Sequence, residues 1–402
     1  MVSLDVLATT DIVVVGAGLA GLCTAFELRR RGFDVAVVEQ RFPGYGASGR
    51  GPGCLWVQTR RSGVEIAIAR AAKAKYAEYV EAIGDVFEYR RLGGLFFFES
   101  EEQGRILEDY VRDRRSAGLE VELVTATQAA KHAPLLPATA IGAVYCAEDA
   151  QLDTQQFTSA LSAALVRSEV RMYENTAVLS VIRQGDHVAG VRTVRGDIRA
   201  SGVVWATGAW TLNLEAEGVS LPITTARMGQ VVTQPVDQRP SAILHGPRGV
   251  ALCGALTDLP TFDAEHFAHA HGAERASGME YDDGLSQSRT GALVIGAGID
   301  SYGSLNPHIS VVSTASMIST TLERYPEHAH LGVTGLWAGL MSDTPDHLPI
   351  VDRLDGTYVN AGHSWGVASV PVAGQVIAEL IAGEQSEFAT VLRADRPSLA
   401  AR

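Results

Sequence analysis

Apolar residues in the first part of the chain follow three patterns in succession. Residues 12–15 are all β-branched, which is typical of a parallel strand buried on both faces. Residues 35–38 form a second apolar run of the same kind. Between the two runs, apolar side chains recur at the i, i+3, i+4 and i+7 spacing of one helix face, at Leu19, Leu22, Cys23 and Phe26. The pattern therefore predicts a strand, a helix and a second strand.

The same alternation continues along the next part of the chain. Helical sequence covers residues 64–83, 101–117 and 155–167, and residues 121–124 and 203–206 form short apolar runs that favour strands. Helices and strands that alternate in this way are typical of an α/β fold.

The pattern changes in the second half. Residues 223–325 contain Thr- and Val-rich runs separated by Pro and Gly, which indicates an antiparallel sheet in a second domain. Towards the end of the chain, the apolar run 357–361 predicts a strand. The helix after it has Pro371 in its first turn and ends at Gly383.

The first predicted strand and helix are joined by a glycine-rich turn. Gly16, Gly18 and Gly21 have G-x-G-x-x-G spacing, which allows a tight turn, a close approach of a pyrophosphate to the backbone, and close packing of the helix on the strand. Glu39 ends the second strand, where a carboxylate can bind the two hydroxyls of a ribose. An acidic residue at this position favours a ribose with a free 2′-hydroxyl over a ribose with a 2′-phosphate. Together these residues predict a dinucleotide site.

Two later stretches have the same character. Residues 203–206 are followed by Thr207-Gly208-Ala209, small residues that let the backbone pass close to a dinucleotide. Residues 362–366 (Gly-His-Ser-Trp-Gly) lead into the last helix, whose N-terminus can stabilise negative charge. The loop at 41–55 is also rich in Gly, Ser and Pro. Several contacts to one ligand from distant parts of the chain favour a long cofactor such as FAD over NAD.

Composition narrows the class of protein. The chain has 402 residues, a formal net charge of −13 and four cysteines without a C-x-x-C pair. The acidic balance argues against nucleic acid as a partner, and the cysteine spacing indicates neither a disulfide framework nor a zinc site. Without a signal peptide or an apolar run of membrane-spanning length, we expect a cytoplasmic protein.

One cluster of polar residues suggests a metal site. His266, His269, His271, Asp282 and Asp283 lie within a polar stretch at about 258–290. Their spacing fits no standard metal site. We therefore expect a solvated loop here and no bound metal.

Taken together, these motifs resemble one family. GAGLAGL with Glu39, GYGASGRGPG, GVVWATGAW, WAGL-x-x-x-TPDHLPI and AGHSWG occur in an order that is similar to the flavin-dependent amine oxidoreductases. That family includes D-amino-acid oxidase, glycine oxidase, sarcosine oxidase and the β subunits of opine and proline dehydrogenases. The resemblance covers nearly the whole chain.

The resemblance implies a fold and a chemistry. The expected fold is a Rossmann-type FAD-binding domain of the glutathione-reductase kind, formed by residues 1–90, 140–220 and 330–402. A substrate domain on an antiparallel sheet would comprise 91–139 and 221–329. The implied reaction oxidises a C–N bond of an amino acid, an N-substituted amino acid or a secondary amine. Hydride passes to flavin N5, and the imine hydrolyses afterwards.

The resemblance also implies the cofactor contacts. No cysteine lies near Gly339, so we expect non-covalent FAD. The expected cofactor-binding residues are Gly16, Gly18, Leu19, Ala20, Gly21, Glu39, Gln40, Arg41, Ala47, Ser48, Arg50, Gly51, Cys54, Leu55, Val178, Ala206, Thr207, Gly208, Trp210, Gly339, Gly362, His363, Ser364, Gly366 and Val367.

The chain departs from the family where the substrate is bound. Met341 occupies a position at which family members commonly carry an arginine for the substrate carboxylate, and Ala368 replaces the lysine of sarcosine oxidases. A buried carboxylate needs a paired cation. Either Arg60, Arg61 or Arg289 supplies it, or the substrate is not a simple α-amino acid. Arg60, Met341 and Trp365 are the predicted substrate-binding residues.

Two alternatives stay open at this point. A 2-hydroxy-acid dehydrogenase on the same scaffold needs a base for the hydroxyl proton, and His363 is the candidate catalytic residue for that role. Alternatively, the chain is the flavin subunit of a hetero-oligomeric dehydrogenase whose partner subunit accepts the electrons.

Overall fold

The computed structural model describes residues 5–252, 254–267 and 278–400. Its α-helices are α1 (Leu19–Arg30), α2 (Val64–Ile83), α3 (Glu101–Ser116), α4 (Ala126–His132), α5 (Thr154–Arg167), α6 (Pro247–Leu252), α7 (Val311–Arg324) and α8 (Val370–Ala382). Its strands are β1 (Val6–Val15), β2 (Val35–Val38), β3 (Cys54–Leu55), β4 (Gly94–Phe98), β5 (Val121–Thr125), β6 (Gly142–Cys146), β7 (Ala150–Gln151), β8 (Arg171–Tyr173), β9 (Val178–Gln184), β10 (His187–Thr193), β11 (Gly196–Trp205), β12 (Thr224–Pro235), β13 (Ile243–His245), β14 (Glu280–Gln287), β15 (Ala292–Asp300), β16 (Val333–Asp343), β17 (Ile350–Leu354) and β18 (Thr357–Ala361).

The first sheet has the strand order β17-β18-β11-β1-β2-β8, with β10 and β9 added beside β11. β1 pairs in parallel with β11 and β2, and β11 pairs in parallel with β18. The carboxyl ends of these strands therefore meet at one edge, which is where ligands bind in open α/β sheets. The predicted strand-helix-strand unit is confirmed, and Val13 and Val14 are fully buried within it.

Helices α1 and α8 pack closely on one another beside this sheet. A Cβ added at Gly374 of α8 would lie 2.8 Å from the carbonyl carbon of Cys23 on α1. The two helix N-termini are therefore held near the same sheet edge. This places the glycine turn before α1 and the small-residue loop before α8 on one side of the molecule.

The second sheet has the order β16-β12-β15-β14-β13-β4-β6-β5 and is antiparallel except between β13 and β4. The predicted antiparallel sheet is thus confirmed. β6 and β16 belong to this sheet, although both lie in ranges assigned above to the FAD-binding domain. The domain boundaries stay a prediction.

β16 connects the second sheet to the loop that follows β2. The indole Nε1 of Trp337 donates to the carbonyl oxygen of Arg50 at 3.1 Å. A Cβ added at Gly339 would lie 3.2 Å from the Cα of Ala47. The second sheet therefore packs directly on the loop at 45–54.

The polar stretch at 258–290 is in part an ordered strand. Asp282 and Asp283 lie on β14 and are 9% and 0% exposed, which corrects the prediction of a solvated loop at these two residues. His266 lies in a short 3₁₀ turn, and His269 and His271 fall outside the described residues. In the part of the chain that the structure describes, no group of three His, Cys, Asp or Glu side chains is arranged to hold a metal. No helix in these same ranges is both long and apolar enough to cross a membrane.

Candidate active site

One cavity of about 650 Å³ is lined by residues from both sheets. At one end it is lined by Gly16, Gly18 and Glu39, and we call this the glycine end. Elsewhere it is lined by Arg60, Trp56, His245, Asp282 and Trp365, and we call this the arginine end. The volume is in the range of cofactor and substrate sites.

The glycine end begins at the turn between β1 and α1. Gly16 has a φ of +106°, and a Cβ added there would lie 2.4 Å from the carbonyl oxygen of Ala206. Only glycine fits between the two strand ends without displacing backbone. Gly18 caps α1 with no side-chain hydrogen bond, and the first turn of α1 has no acidic residue. The N-terminal N–H groups of α1 thus form a site suited to an anion.

Ser48 completes this turn from the following loop. Its Oγ accepts a hydrogen bond from the backbone N–H of Leu19 at 2.9 Å. A Cβ added at Gly18 would lie 3.0 Å from the same oxygen. The loop at 45–54 is therefore held over the start of α1.

Glu39 is buried at the end of β2. Its carboxylate accepts hydrogen bonds from the backbone N–H groups of Ala17 and Arg41, each at 2.9 Å. Burial raises the pKa of Glu39 above its ordinary value, and the hydrogen bonds from Ala17 and Arg41 oppose that shift. Each carboxylate oxygen can accept a further hydrogen bond from a ligand.

His363 lies in the loop before α8 and lines the cavity. Its Nε2 is 2.8 Å from Oδ1 of Asn360, and its Nδ1 is 2.9 Å from Oγ of Ser369. Burial lowers the pKa of His363 to about 4. Both ring nitrogens are therefore engaged within the protein, and the imidazole is neutral at physiological pH. This arrangement does not support the predicted role of His363 as a catalytic base.

Arg60 is the predicted cation that reaches the cavity. Its side chain is 3% exposed, and its guanidinium lies 4.4 Å from the ring centroid of Trp365. Arg61 is bound elsewhere, because its Nε is 2.5 Å from a carboxylate oxygen of Glu65. Arg289 is exposed on the surface, 3.6 Å from the carboxylate of Glu88.

Trp365 adds a second donor at the arginine end. Its indole Nε1 is buried and has no hydrogen-bond acceptor among the described residues. A buried N–H group is ordinarily paired. Trp365 and Arg60 thus place an indole N–H and a positive charge in the wall of this part of the cavity.

Most of the predicted site residues line the cavity, including Met341, Arg50 and Trp210. The predicted residues that do not line it are Gly21, Arg41, Leu55 and Gly362. Gly21 packs on Gly16, because a Cβ added at Gly21 would lie 1.9 Å from the carbonyl oxygen of Gly16. Leu55 is fully buried in the core. Gly21 thus shapes the turn without facing the cavity.

Residues that the sequence analysis did not assign to this site also line the cavity. They include His245 and Asp282 on adjacent strands, and Met228 and Gln230 on β12. His245 is the last residue of the short strand β13, and nothing in its sequence neighbourhood indicates a site. The one available sequence signal for Asp282 was the adjacent acidic pair Asp282 and Asp283, in a strand without a regular alternation of apolar and polar residues.

Comparisons with known proteins agree with this geometry. A family model described as FAD dependent oxidoreductase matches residues 11–380. Glycine oxidase of Pseudomonas aeruginosa is 27% identical over 93% of this chain and 95% of its own length. Hydrogen cyanide synthase subunit HcnC of Pseudomonas protegens is 25% identical, covering 92% of each chain.

A solved structure supports the fold. The crystal structure of glycine oxidase from Geobacillus kaustophilus has a TM-score of 0.81 and 22% identity, covering 97% of this chain and 99% of that one. The glycine end fits the cofactor that the family model names, since Gly18 brings no capping side chain to the start of α1 and a buried acid follows at the expected distance along the chain. The chain therefore belongs to the FAD-dependent oxidoreductase family and is an enzyme that uses FAD.

Proposed function

We propose that this enzyme oxidises the C–N bond of an amino acid or an N-substituted amino acid. The observation that carries the proposal is the buried guanidinium of Arg60 over the ring of Trp365, whose indole N–H has no acceptor among the described residues. A carboxylate is the group that best matches a buried arginine with a second N–H donor next to it. The named activity of the glycine oxidase relative supports the same class of substrate.

FAD, when bound, supplies the acceptor for the hydride that leaves the substrate carbon. We propose that Gly16, Gly18 and Ser48 hold its pyrophosphate, since the N–H groups at the start of α1 favour a diphosphate. Glu39 would bind the ribose of the adenosine. His363 keeps the loop before α8 in place through Asn360 and Ser369. Its neutral imidazole adds no charge near the cofactor.

The remaining cavity wall limits the substrate. Met228 on β12 and Met341 on β16 line the cavity. Met341 takes the place of the arginine that family members commonly use for the carboxylate. We therefore expect the carboxylate to bind at Arg60, with a small or apolar substituent against Met341.

The test is anaerobic reduction of the FAD-loaded enzyme by a substrate panel. Glycine, N-methylglycine, proline and the two enantiomers of alanine represent the proposed class, and lactate represents the 2-hydroxy acids. We expect the visible flavin absorbance to bleach with at least one amine and to persist with lactate. Bleaching with lactate alone would overturn the proposal in favour of C–O oxidation.

The electron acceptor is tested in the same preparation. The reduced enzyme is mixed with O₂ or with an artificial dye, and reoxidation is followed by absorbance. One relative is named as a subunit of a larger enzyme. Fast reoxidation by dye with slow reoxidation by O₂ would favour a partner subunit as the natural acceptor, whereas fast reoxidation by O₂ would favour an oxidase.

We also propose a cytoplasmic location. The cysteines in the described ranges, Cys23, Cys54 and Cys146, are free thiols. Burial raises the pKa of Cys23 and of Cys54 to about 12, so neither is a reactive thiolate at neutral pH. Free thiols are typical of proteins in a reducing compartment.

A further inference from the structure

The arginine end contains a histidine–carboxylate pair that the proposed substrate contacts do not use. His245 ends β13, and Asp282 lies on the adjacent strand β14. Nε2 of His245 is 3.0 and 3.2 Å from the two carboxylate oxygens of Asp282. Oδ1 of Asp282 also accepts a hydrogen bond from the backbone N–H of Gly284 at 3.0 Å. The pair is therefore held in a fixed orientation.

The second ring nitrogen of His245 makes no hydrogen bond to the described residues. Nδ1 is buried and has no hydrogen-bond partner among the residues that the structure describes. The imidazole lies beside Trp56, with ring centroids 5.3 Å apart, and both residues line the cavity. A buried imidazole nitrogen is ordinarily hydrogen-bonded. Because His245 itself lines the cavity, a polar group of a bound molecule is the partner that we expect for Nδ1.

The neighbouring carboxylate does not compete for His245. Asp283 accepts a hydrogen bond from the backbone N–H of Gly249 at 3.1 Å and lies 3.1 Å from Nη2 of Arg324. It does not line the cavity. The two acids thus have separate partners, with Asp283 bound to Arg324 and Asp282 bound to His245.

We propose that the His245–Asp282 pair accepts a proton from the ammonium group of the substrate, an inference that rests on the amine oxidation proposed above. In this step one N–H bond of the ammonium group breaks and its electron pair stays on nitrogen. The proton forms a new bond to Nδ1 of His245. The resulting imidazolium is paired with Asp282. No electrons are exchanged in the step, and it yields the neutral amine from which hydride can leave the adjacent carbon.

The charges around His245 favour this role. Burial disfavours its charged form, but Asp282 and then Asp283 outweigh burial and raise the pKa of His245 above its ordinary value. The positive charge of Arg60 acts in the opposite direction and lowers the pKa of His245. The paired strand β4 presents only glycine and apolar residues. A raised pKa means that the imidazolium formed by proton transfer is better stabilised here than in a free histidine.

One further acid lies near this region. Asp149 is buried, and burial raises its pKa to about 6. Its carboxylate accepts hydrogen bonds from the backbone N–H groups of Val57 and Gln58. Asp149 does not line the cavity. Variants of His245 and Asp282 therefore distinguish the titration of this pair from that of Asp149.

The first test is the pH dependence of anaerobic flavin reduction in the His245→Gln variant. Glutamine keeps a donor near Asp282 and lacks the proton-accepting Nδ1. We expect a loss of about 100-fold at pH 7, because general bases contribute about 10²–10⁴-fold. We expect recovery to within about 3-fold of the wild-type rate at pH 10, where the free amine is abundant in solution. Asp282→Asn should give an intermediate loss.

A second measurement follows the proton directly. The enzyme is labelled with ¹³C-histidine, and the His245 signal is identified by its loss in His245→Gln. The measurement is made at a pH above the pKa of His245 in the free enzyme. A saturating amount of 2-aminoisobutyrate, an amino acid without an α-hydrogen, should then shift that signal to the position of the imidazolium form. A signal that stays at the neutral position would overturn the proposal.

A second histidine–aspartate pair provides the matched control. Nδ1 of His347 is 2.9 Å from Oδ1 of Asp343, and neither residue lines the cavity. His347 has a φ of +62°, so asparagine, which tolerates this conformation, is the suitable replacement. We expect His347→Asn to keep the wild-type pH profile.

The outcomes separate the two proposals. If an amine reduces the wild-type enzyme and His245→Gln loses the same factor at every pH, the proton-transfer role is wrong and amine oxidation stands. If no amine reduces the wild-type enzyme, the proposed function fails, and the proton-transfer role fails with it. FAD content of each variant is measured first, so that a folding defect is recognised as such.

Discussion

The two ends of the cavity are built in different ways. The glycine end consists mainly of backbone, namely the turn at Gly16 and the first N–H groups of α1. The arginine end consists of side chains from separate segments, including Arg60, His245 and Trp365. A backbone site depends on a short stretch with fixed spacing, whereas a side-chain site depends on how distant strands align. Substrate preference can therefore change at one end while cofactor binding is kept at the other.

The largest expected effect is at Gly16. In Gly16→Ala the new Cβ would lie 2.4 Å from the carbonyl oxygen of Ala206, at a φ of +106°. We expect a destabilisation of at least about 3 kcal/mol and loss of bound FAD. Thermal unfolding and flavin absorbance measure both.

Gly32→Ala is the control for this prediction. Gly32 also has a positive φ, +87°, but an added Cβ would meet nothing within 4 Å. We expect a cost of about 1 kcal/mol and full FAD content. Equal effects of the two variants would show that strain alone, without the contact to the strand end, explains the loss.

The next effect tests the arginine end. Arg60→Gln should lower kcat/KM for amino acids about 100-fold, equivalent to about 2.7 kcal/mol, because a charged hydrogen bond to the carboxylate is lost. FAD content should be unchanged. Arg61→Gln is the matched control, since Arg61 is bound to Glu65 outside the cavity. A loss of FAD in Arg60→Gln would contradict the separation of the two ends.

His363 lies in the loop before α8 and lines the cavity, and the prediction for this residue concerns the stability of the fold. Its pKa is lowered from the ordinary value of 6.5 to about 4 in the folded protein. The unfolded chain therefore binds a proton between about pH 6.5 and 4 that the folded chain does not. The contribution of His363 to the free energy of unfolding is fully present above pH 6.5. It falls by about 1–3 kcal/mol as the pH drops towards 4.

The measurement is urea unfolding of wild type and His363→Asn at pH 7 and pH 4.5. Asparagine cannot titrate in this range, so the difference between the two proteins should shrink at the lower pH. An unchanged difference would show that His363 is not buried in its neutral form.

The smallest effect is expected at Glu39. Glu39→Gln keeps one acceptor oxygen and loses the charge, so the N–H groups of Ala17 and Arg41 lose part of their pairing. We expect FAD affinity to fall about 10-fold, equivalent to about 1.4 kcal/mol. Flavin fluorescence gives the Kd. Glu174→Gln, at an exposed acid near Glu39, should leave the Kd unchanged.

The fold was largely predictable because its elements have clear local signals. α2 begins and ends at the predicted residues, and β1, α1 and β2 follow the apolar spacing. The membership of β6 and β16 in the second sheet was not predictable, because strand pairing is decided by tertiary contacts and not by local pattern.

The site was predictable only where its residues are close in sequence. Gly16 and Glu39 belong to one strand-helix-strand unit with a known spacing. His245 and Asp282 are 37 residues apart and meet through the pairing of β13 with β14. His363 lies in a suggestive motif, but its hydrogen bonds to Asn360 and Ser369 use both nitrogens. A motif locates a residue without showing which of its atoms are free.

The contact between β16 and the loop at 45–54 has a kinetic consequence. Trp337 and Gly339 seat the second sheet on the loop that covers the start of α1. We expect a bound dinucleotide to leave only when that loop lifts, which would disturb its contacts with β16. Cofactor exchange should accordingly be slow, and protein stripped of its flavin should regain colour over minutes rather than at the speed of diffusion.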